Sequence, residues 1–401
     1  MRIALLTAAA SWSGVEVHTI QLASALKQKG HQVTIFELGR QGYTGIPLPL
    51  PCPVNQLDLG FGSRREVTLD SLSFSDWRRI FKQIQTDLAI SVKGTFKFGS
   101  LAMEAAARLC FPRFLVIEHL HAPLQKITKG IHFKGLVPSF NLWWYRQKFS
   151  GYLRSLFPNK VICVSKALAS TLEQDYHYPQ AKLAVAHSGV DTDLFVSDPV
   201  ARDLAREAWG IPHKGFVFGT VGRLSPMKNH GQLIGAFSRL CRTTDRDDLW
   251  LVIVGEGPQR TSLEALSKSS SAGDRIVFAG FSAAPQKILP GFDVFCFPST
   301  TGESLGIALL EAMSCGCPAI ASAVGGVPEI LNDPQLGWLI PMGDEDALMA
   351  SMGLALESDS QKLQQMGASA REHVIRHFSA REKWGELVRL IESMSPGDKI
   401  K

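Results

Sequence analysis

The chain has 401 residues, 45% of them hydrophobic and 20% charged, with a mean hydropathy of +0.05, which suits a globular protein with two cores of about 190 residues each. No run approaches the roughly eighteen apolar residues of a membrane-spanning helix, residues 1–14 are too short and weakly charged for a secretory leader, and seven cysteines without a C-x-x-C pair read as reduced cytoplasmic thiols. The net charge of +5 hides an asymmetry: residues 1–190 hold 22 Lys and Arg against 11 Asp and Glu, a balance of +11, and the remaining 20 against 26 leave −6.

In chain order, residues 2–8 form a first strand, and Ser13-Gly14-Val15-Glu16 opens a helix whose Ile20, Leu22, Ala23 and Leu26 recur at helical spacing before a stop at Gly30. A strand over 31–38 completes a βαβ unit. An irregular connector over 47–53, a helix over 75–85 and strands over 87–93 and 113–119 follow, the last ending in Glu118-His119-Leu120-His121. From His119 through Leu172 there is no Asp or Glu against eight Lys and Arg, and Trp143, Trp144 and Tyr145 lie inside this stretch. Phe149, Tyr152, Leu153 and Leu156 share one helical stripe, with Arg146 and Arg154 off it. Two readings stand: a crossover helix that packs the stripe on the sheet, or a basic helix with aromatic anchors for an anionic membrane surface. No nucleic-acid recognition motif accompanies the charge.

Beyond a strand over 161–165 and a helix over 166–174 comes HSGVDTDLF, in which Asp191-Thr-Asp193 also spells a D-x-D metal motif. Strand 216–223 runs into Gly222-Arg223-Leu224-Ser225-Pro226-Met227-Lys228-Asn229. The next strand ends Gly255-Glu-Gly257-Pro, where proline blocks the helix entry that a dinucleotide fingerprint needs. Strand 276–280 is followed by Phe281, and strand 292–300 by a turn at Gly302 and an apolar helix over 305–314, which Gly316 ends. That helix is expected to be buried all round, with Glu311 inside it and Glu303 at its start. Eight helical residues rise about 12 Å, more than the roughly 5 to 9.5 Å of a glycosidase carboxylate pair. Glu303 and Glu311 therefore read as two grips on one long ligand, sugar, diphosphate and ribose end to end, with free N–H groups around Leu305 and Gly306 receiving its negative middle. The competing reading pairs a buried Glu311 with an internal arginine and leaves Glu303 as a helix cap. Cys315-Gly-Cys317 has no histidine nearby to complete a zinc set and reads as packing. Helices over 347–356, 360–365 and 379–394 close the chain.

ESLGIALLEAMSCGCPAIAS followed by GGVPEIL resembles the C-terminal half of the retaining, nucleotide-sugar-dependent glycosyltransferases with the GT-B fold, glycosyltransferase family 4 or glycosyl transferases group 1. GRLSPMKN matches that family's G-R-L-x-x-x-K-N, HSGVDTDLF its interdomain segment, and Ser13-Gly14-Val15-Glu16 stands where it has Gly-Gly-x-Glu. The resemblance implies an α/β protein of two Rossmann-like parallel-sheet domains facing across a cleft: an acceptor-side domain over 1–190, completed by a C-terminal helix over 379–401, and a donor domain over 191–378. It implies that the Gly14 loop faces the donor phosphates and that Gly222, Arg223 and Lys228 clamp the diphosphate. It places the nucleobase near Phe281, the sugar hydroxyls on Glu303 with Ser304, Leu305 and Gly306 beside the phosphates, and the ribose on Glu311. His119, with His121 as its competitor, would line the region of attack, and the catalytic set would be Glu303, His119, Arg223 and Lys228. The departing β-phosphate would serve as base, so neither metal nor cofactor is expected beyond a UDP- or GDP-type sugar. The expected partners are that donor, a glycan or lipid-linked acceptor and an anionic membrane surface at the inner face, without nucleic acid. A GT-B sugar-nucleotide epimerase and a non-catalytic sugar-nucleotide or membrane-binding module are the alternatives.

Overall fold

The computed structural model describes residues 1–7, 14–38, 50–56, 72–93, 100–119 and 142–394. The chain divides into two units, Met1–His187 with Trp384 onward, and Ser188–Lys383. The first contains β1 (Arg2–Thr7), α1 (Gly14–Gln28), β2 (Gln32–Glu37), β3 (Val54–Gln56), α2 (Phe74–Phe81), β4 (Leu88–Lys93), α3 (Leu101–Cys110), β5 (Phe114–Glu118), α4 (Leu142–Ser155), β6 (Lys160–Cys163), α5 (Lys166–Tyr176) and β7 (Leu183–Val185). The strands form a parallel sheet in the order β3-β2-β1-β4-β5-β6-β7. β1, β4 and β5 are mostly apolar and buried along almost their whole length because both faces of a parallel sheet are covered by helices. Ala4, Leu6, Ala89, Phe114 and Val116 point to a core with Trp77, Phe81, Met103, Leu168 and Leu172 of α2, α3 and α5. The alternate residues Leu5, Ile90, Leu115 and Ile117 point to α1 and to Leu387, Val388 and Ile391 near the chain's end.

The stripe on α4 has two readings, packing on the sheet or facing away from it. Most of the stripe does not pack on the sheet: Phe149, Tyr152 and Leu156 are 64, 42 and 45% exposed, and Leu153 is half-buried. Gly151, Arg154 and Ser155 are buried instead. A Cβ on Gly151 would stand 2.7 Å from the Tyr176 carbonyl oxygen, so α4 meets the end of α5 almost backbone to backbone and its small and charged side is the inner one.

The second unit contains α6 (Pro199–Ala208), β8 (Phe216–Val221), α7 (His230–Thr243), β9 (Leu249–Val254), α8 (Arg260–Ser269), β10 (Ile276–Gly280), β11 (Val294–Phe297), α9 (Ile307–Ser314), β12 (Ala319–Ser322), α10 (Val327–Ile330), β13 (Gly337–Ile340), α11 (Glu345–Glu357), α12 (Ser360–Phe378) and α13 (Ala380–Ser393). Its parallel sheet has the order β10-β9-β8-β11-β12-β13. α12, expected over 360–365, continues to Phe378, with Asp359 capping its start by accepting from the Lys362 N–H at 2.7 Å. From Trp384 onward α13 belongs to the first unit, where Leu387, Val388 and Ile391 fill its core.

Candidate active site

In the second unit the strand order reverses between β8 and β11, which lie side by side with Val294 opposite Phe218. Connections leaving two such strands diverge, and the crevice beyond their carboxyl ends is where open parallel sheets bind ligands. GRLSPMKN follows β8 and TGESLG follows β11, so both motifs open at that point. The loops are tied together, the Thr300 N–H donating to the Met227 carbonyl at 2.8 Å. The Gly255-Glu-Gly257 turn supports them from β9, the Leu224 N–H donating to the Glu256 carbonyl at 3.0 Å. A Cβ on Gly255 would fall 1.9 Å from the Gly222 carbonyl oxygen, so the glycine serves loop packing.

Lys228 forms an ion pair with Glu303, their side chains 22 and 10% exposed. The Ser299 hydroxyl donates to the same Glu303 oxygen at 3.1 Å, and the Lys228 ammonium stands 4.9 Å from the centre of the Phe297 ring. Arg223 is exposed and has no hydrogen-bond or ion-pair partner among the described residues. The turn over 323–326 closes against Glu303: the Gly326 N–H donates to the Ser304 carbonyl at 3.1 Å, and a Cβ on Gly325 would lie 1.6 Å from the Glu303 carbonyl oxygen. The Ser304 hydroxyl oxygen is buried there without a partner.

α9 begins at Ile307 rather than at residue 305, because Gly306 takes a left-handed conformation, φ 104°, as its N-cap. Only the steps from Ile307 to Glu311 are helical, so the carboxylate spacing is not eight residues of helix. The backbone N–H groups of Leu305, Gly306, Ile307 and Ala308 donate to no protein acceptor among the described residues, as the first N–H groups of a helix do unless capped. α9 is not buried all round, since Ile307 is 38% exposed.

Glu311 makes no hydrogen bond or ion pair with the described residues, and burial pushes its carboxyl up to about 8. The arginine nearest in role, Arg371, is occupied elsewhere: it donates to the carbonyls of Phe195 at 2.8 Å, Thr192 at 3.1 Å and Ser314, closing the C-terminal end of α9. The internal-arginine reading of Glu311 is thereby removed. Asp191 accepts from the N–H groups of Asp193 and Leu194, both at 3.1 Å, so its carboxylate shapes a turn. Phe281 follows β10 and is 67% exposed. Sequence reasoning passed over His230, directly after the K-N pair, which is 1% exposed and held neutral, its value lowered to about 4 by burial and then by Lys228.

In the first unit Gly14 starts α1, while Ser13 and His121 lie outside the described residues. His119 directly follows β5, its N–H donating to the Lys93 carbonyl at 3.0 Å. Its ring meets that of His18 edge-on at 4.0 Å, and His18 lies 4.6 Å from the Trp384 ring. Burial lowers His119 to about 4 against the opposing pull of Glu118, and His18 is lowered well below its usual value by burial and by His119, so both imidazoles are neutral at pH 7. His18 carried no sequence signal beyond its place in α1.

Two parallel-sheet α/β units in this connectivity define the GT-B fold. HepE of Anabaena in complex with UDP superimposes with a TM-score of 0.78 at 19% identity over 98% of this chain and 100% of that one. WaaG, a glycosyltransferase involved in lipopolysaccharide biosynthesis, does so at 0.70 and 16% identity over 99% and 100%. Residues 12–194 match the family model for Glycosyltransferase Family 4, and residues 201–373 that for Glycosyl transferases group 1. The chain belongs to this GT-B group 1, family 4-like set of glycosyltransferases. The GDP-mannose-dependent alpha-(1-6)-phosphatidylinositol monomannoside mannosyltransferase of Mycolicibacterium smegmatis is 33% identical over 53% of this chain and 57% of its own length. The N-acetyl-alpha-D-glucosaminyl L-malate synthase of Bacillus anthracis is 29% identical over 50% and 51%. The chain spans about half the length of the curated relatives it matches.

Proposed function

We propose that the protein is a retaining glycosyltransferase that moves a sugar from a nucleoside-diphosphate sugar of UDP or GDP type to an acceptor hydroxyl, without a metal. The observation that carries the reading is the start of α9, four N–H groups without an acceptor among the described residues, lying in the chain between Glu303, which pairs with Lys228, and Glu311, which pairs with none of the described residues. A diphosphate entering there accepts from those N–H groups and from Arg223, and draws Lys228 off Glu303. Glu303 is then released to accept from the sugar hydroxyls, and Glu311 accepts from the ribose. As the glycosidic bond breaks, the growing charge on the diphosphate meets these fixed donors, and its β-phosphate oxygen takes the proton of the acceptor hydroxyl. Neutral His119 supplies a hydrogen bond at the region of attack. Incubation with a panel of UDP and GDP sugars, reading released nucleoside diphosphate with and without EDTA, tests this. An altered donor sugar without any acceptor would indicate an epimerase, and binding with no turnover, even to water, a binding module.

The acceptor is read as a lipid-linked or cell-envelope glycan, reached by a protein held reversibly at the inner membrane face. The outward Phe149 and Tyr152 on α4 and Leu156 just after it, inside an acid-free stretch, support this. No helix of the described residues is long and apolar enough to cross a membrane.

A further inference from the structure

Among the described residues of the first unit, two basic and two acidic side chains that the proposed chemistry does not use are buried together, with Tyr178 beside them. Lys93 ends β4, Glu118 ends β5, Glu104 lies in the first turn of α3 and Arg154 in the last turn of α4. Their side chains are 2, 1, 1 and 7% exposed. The Lys93 ammonium stands 2.5 Å from Glu104 Oε1 and 3.3 Å from Glu118 Oε1, and Arg154 Nε stands 3.4 Å from that Glu104 oxygen. Among the described residues each acid stands beside a cation, Glu104 beside Lys93 and Arg154, and Glu118 beside Lys93. Removing four ions from water is unfavourable, and apolar residues of similar volume stabilise such a place as well or better. What the ions add is a fixed geometry, and its neighbour is His119.

Lys93 and Glu118 are opposite one another in the β4–β5 ladder, and the Lys93 carbonyl also accepts from the His119 N–H at 3.0 Å. Side chains alternate along β5: Phe114 and Val116 enter one core, Leu115 and Ile117 the other. Glu118 thus falls on the face of α2, α3 and α5, and His119 on the opposite face, against His18 of α1. The end of β5 is held from both sides. Arg154 commits α4 to the same group, and Gly151 gives that helix the close seat from which Arg154 reaches Glu104.

We propose that Lys93 is a positioning residue for His119, the ion group acting as a latch that fixes the end of β5 and, through Arg154, joins the seating of α4 to the setting of the imidazole. This rests on the reading of His119 as lining the point of attack. The test compares wild type with Lys93→Arg, Lys93→Met and the charge-balanced pair Lys93→Met/Glu118→Gln, all as full chains. The imidazole resonances of His119, identified by their loss in His119→Gln, are recorded without ligand, and kcat, donor KM and melting temperature are measured. The balanced pair carries the decision, since Lys93→Met alone leaves an unmatched buried acid. It should shift the His119 resonances and lower kcat roughly tenfold to a hundredfold, with donor KM little changed and Lys93→Arg restoring most of the loss. Arg154→Met/Glu104→Gln should displace the same resonances. Wild-type resonances and kcat in a folded balanced pair, whatever its melting temperature, overturn the proposal. Undiminished turnover in His119→Gln removes the catalytic reading of His119 alone, and the resonances still decide the latch.

Discussion

Burial raises the Glu311 carboxyl to about 8, which favours its protonated form at pH 7, and none of the described residues pairs with it. Ribose hydroxyls donating to it favour the ionised form, so nucleotide binding should expel that proton. Calorimetry at pH 7 in buffers of different ionisation heat should find about one proton released per nucleoside diphosphate bound, and none in Glu311→Gln. Proton-neutral binding in the wild type would mean that Glu311 meets the ligand as an acid. The stability consequence has a definite sign. The native state holds a proton that the unfolded chain lacks between the ordinary 4.5 and about 8, so this carboxyl lowers stability as pH rises through that window. Glu311→Gln should therefore raise the melting temperature at pH 8.5 more than at pH 5. Arg223 and Lys228 separate by another route. Each change to alanine should lower kcat/KM by about 2 to 4 kcal/mol of transition-state stabilisation, roughly 30- to 1000-fold. Arg223→Ala should leave the melting temperature alone, because Arg223 is exposed and pairs with none of the described residues, whereas Lys228→Ala leaves Glu303, at 10% exposure, without its cation. Equal melting shifts in the two would show that the Lys228 pair contributes nothing to the fold.

At the scale of elements, parallel strands were legible because burial on both faces favours apolar runs, and β4, marked over 87–93, runs from Leu88 to Lys93. The start of α9 was misread because apolar spacing begins at Leu305, whereas the backbone at Gly306 is left-handed and the helix can begin only after it. The stripe on α4 was legible and its direction was not. Periodicity defines a face, and the small residue at position 151 together with the acid waiting for Arg154 decides which way that face turns. The latch was invisible for a related reason, since Lys93 and Glu118 meet only through strand register. With the stripe outward, Phe149→Ser/Tyr152→Ser should leave the melting temperature nearly unchanged, as exposed substitutions do, and weaken sedimentation with anionic vesicles. Replacing Lys126, Lys129, Arg146 and Lys148 with Gln should weaken it further and flatten its salt dependence. Vesicle binding indifferent to both sets would take the membrane assignment away from α4 and from the basic residues of the acid-free stretch.

At the scale of the molecule, the first unit is built from two separated pieces of chain, Met1–His187 and Trp384 onward, with the second unit's sequence between them. The late piece is structural. Leu387, Val388 and Ile391 are 3, 1 and 0% exposed in the core formed with Leu5, Ile20, Leu22 and Ile90, and Trp384 lies against His18. Burying three such side chains contributes about 5 to 9 kcal/mol, of the order of the whole stability of a domain, about 5 to 15 kcal/mol. The second unit needs none of these residues, because its core ends at Phe378 and its last strand contact, between Val190 and Ser379, precedes them. A chain ending at Lys383 should therefore lose one unit and keep the other. Hydrogen exchange should find the amides of β1 and β4 unprotected, those of β9 and β11 protected as in the full chain, and nucleoside diphosphate binding retained without transfer. Full protection of β1 and β4 in the shortened chain would show that α13 only covers a core able to stand without it.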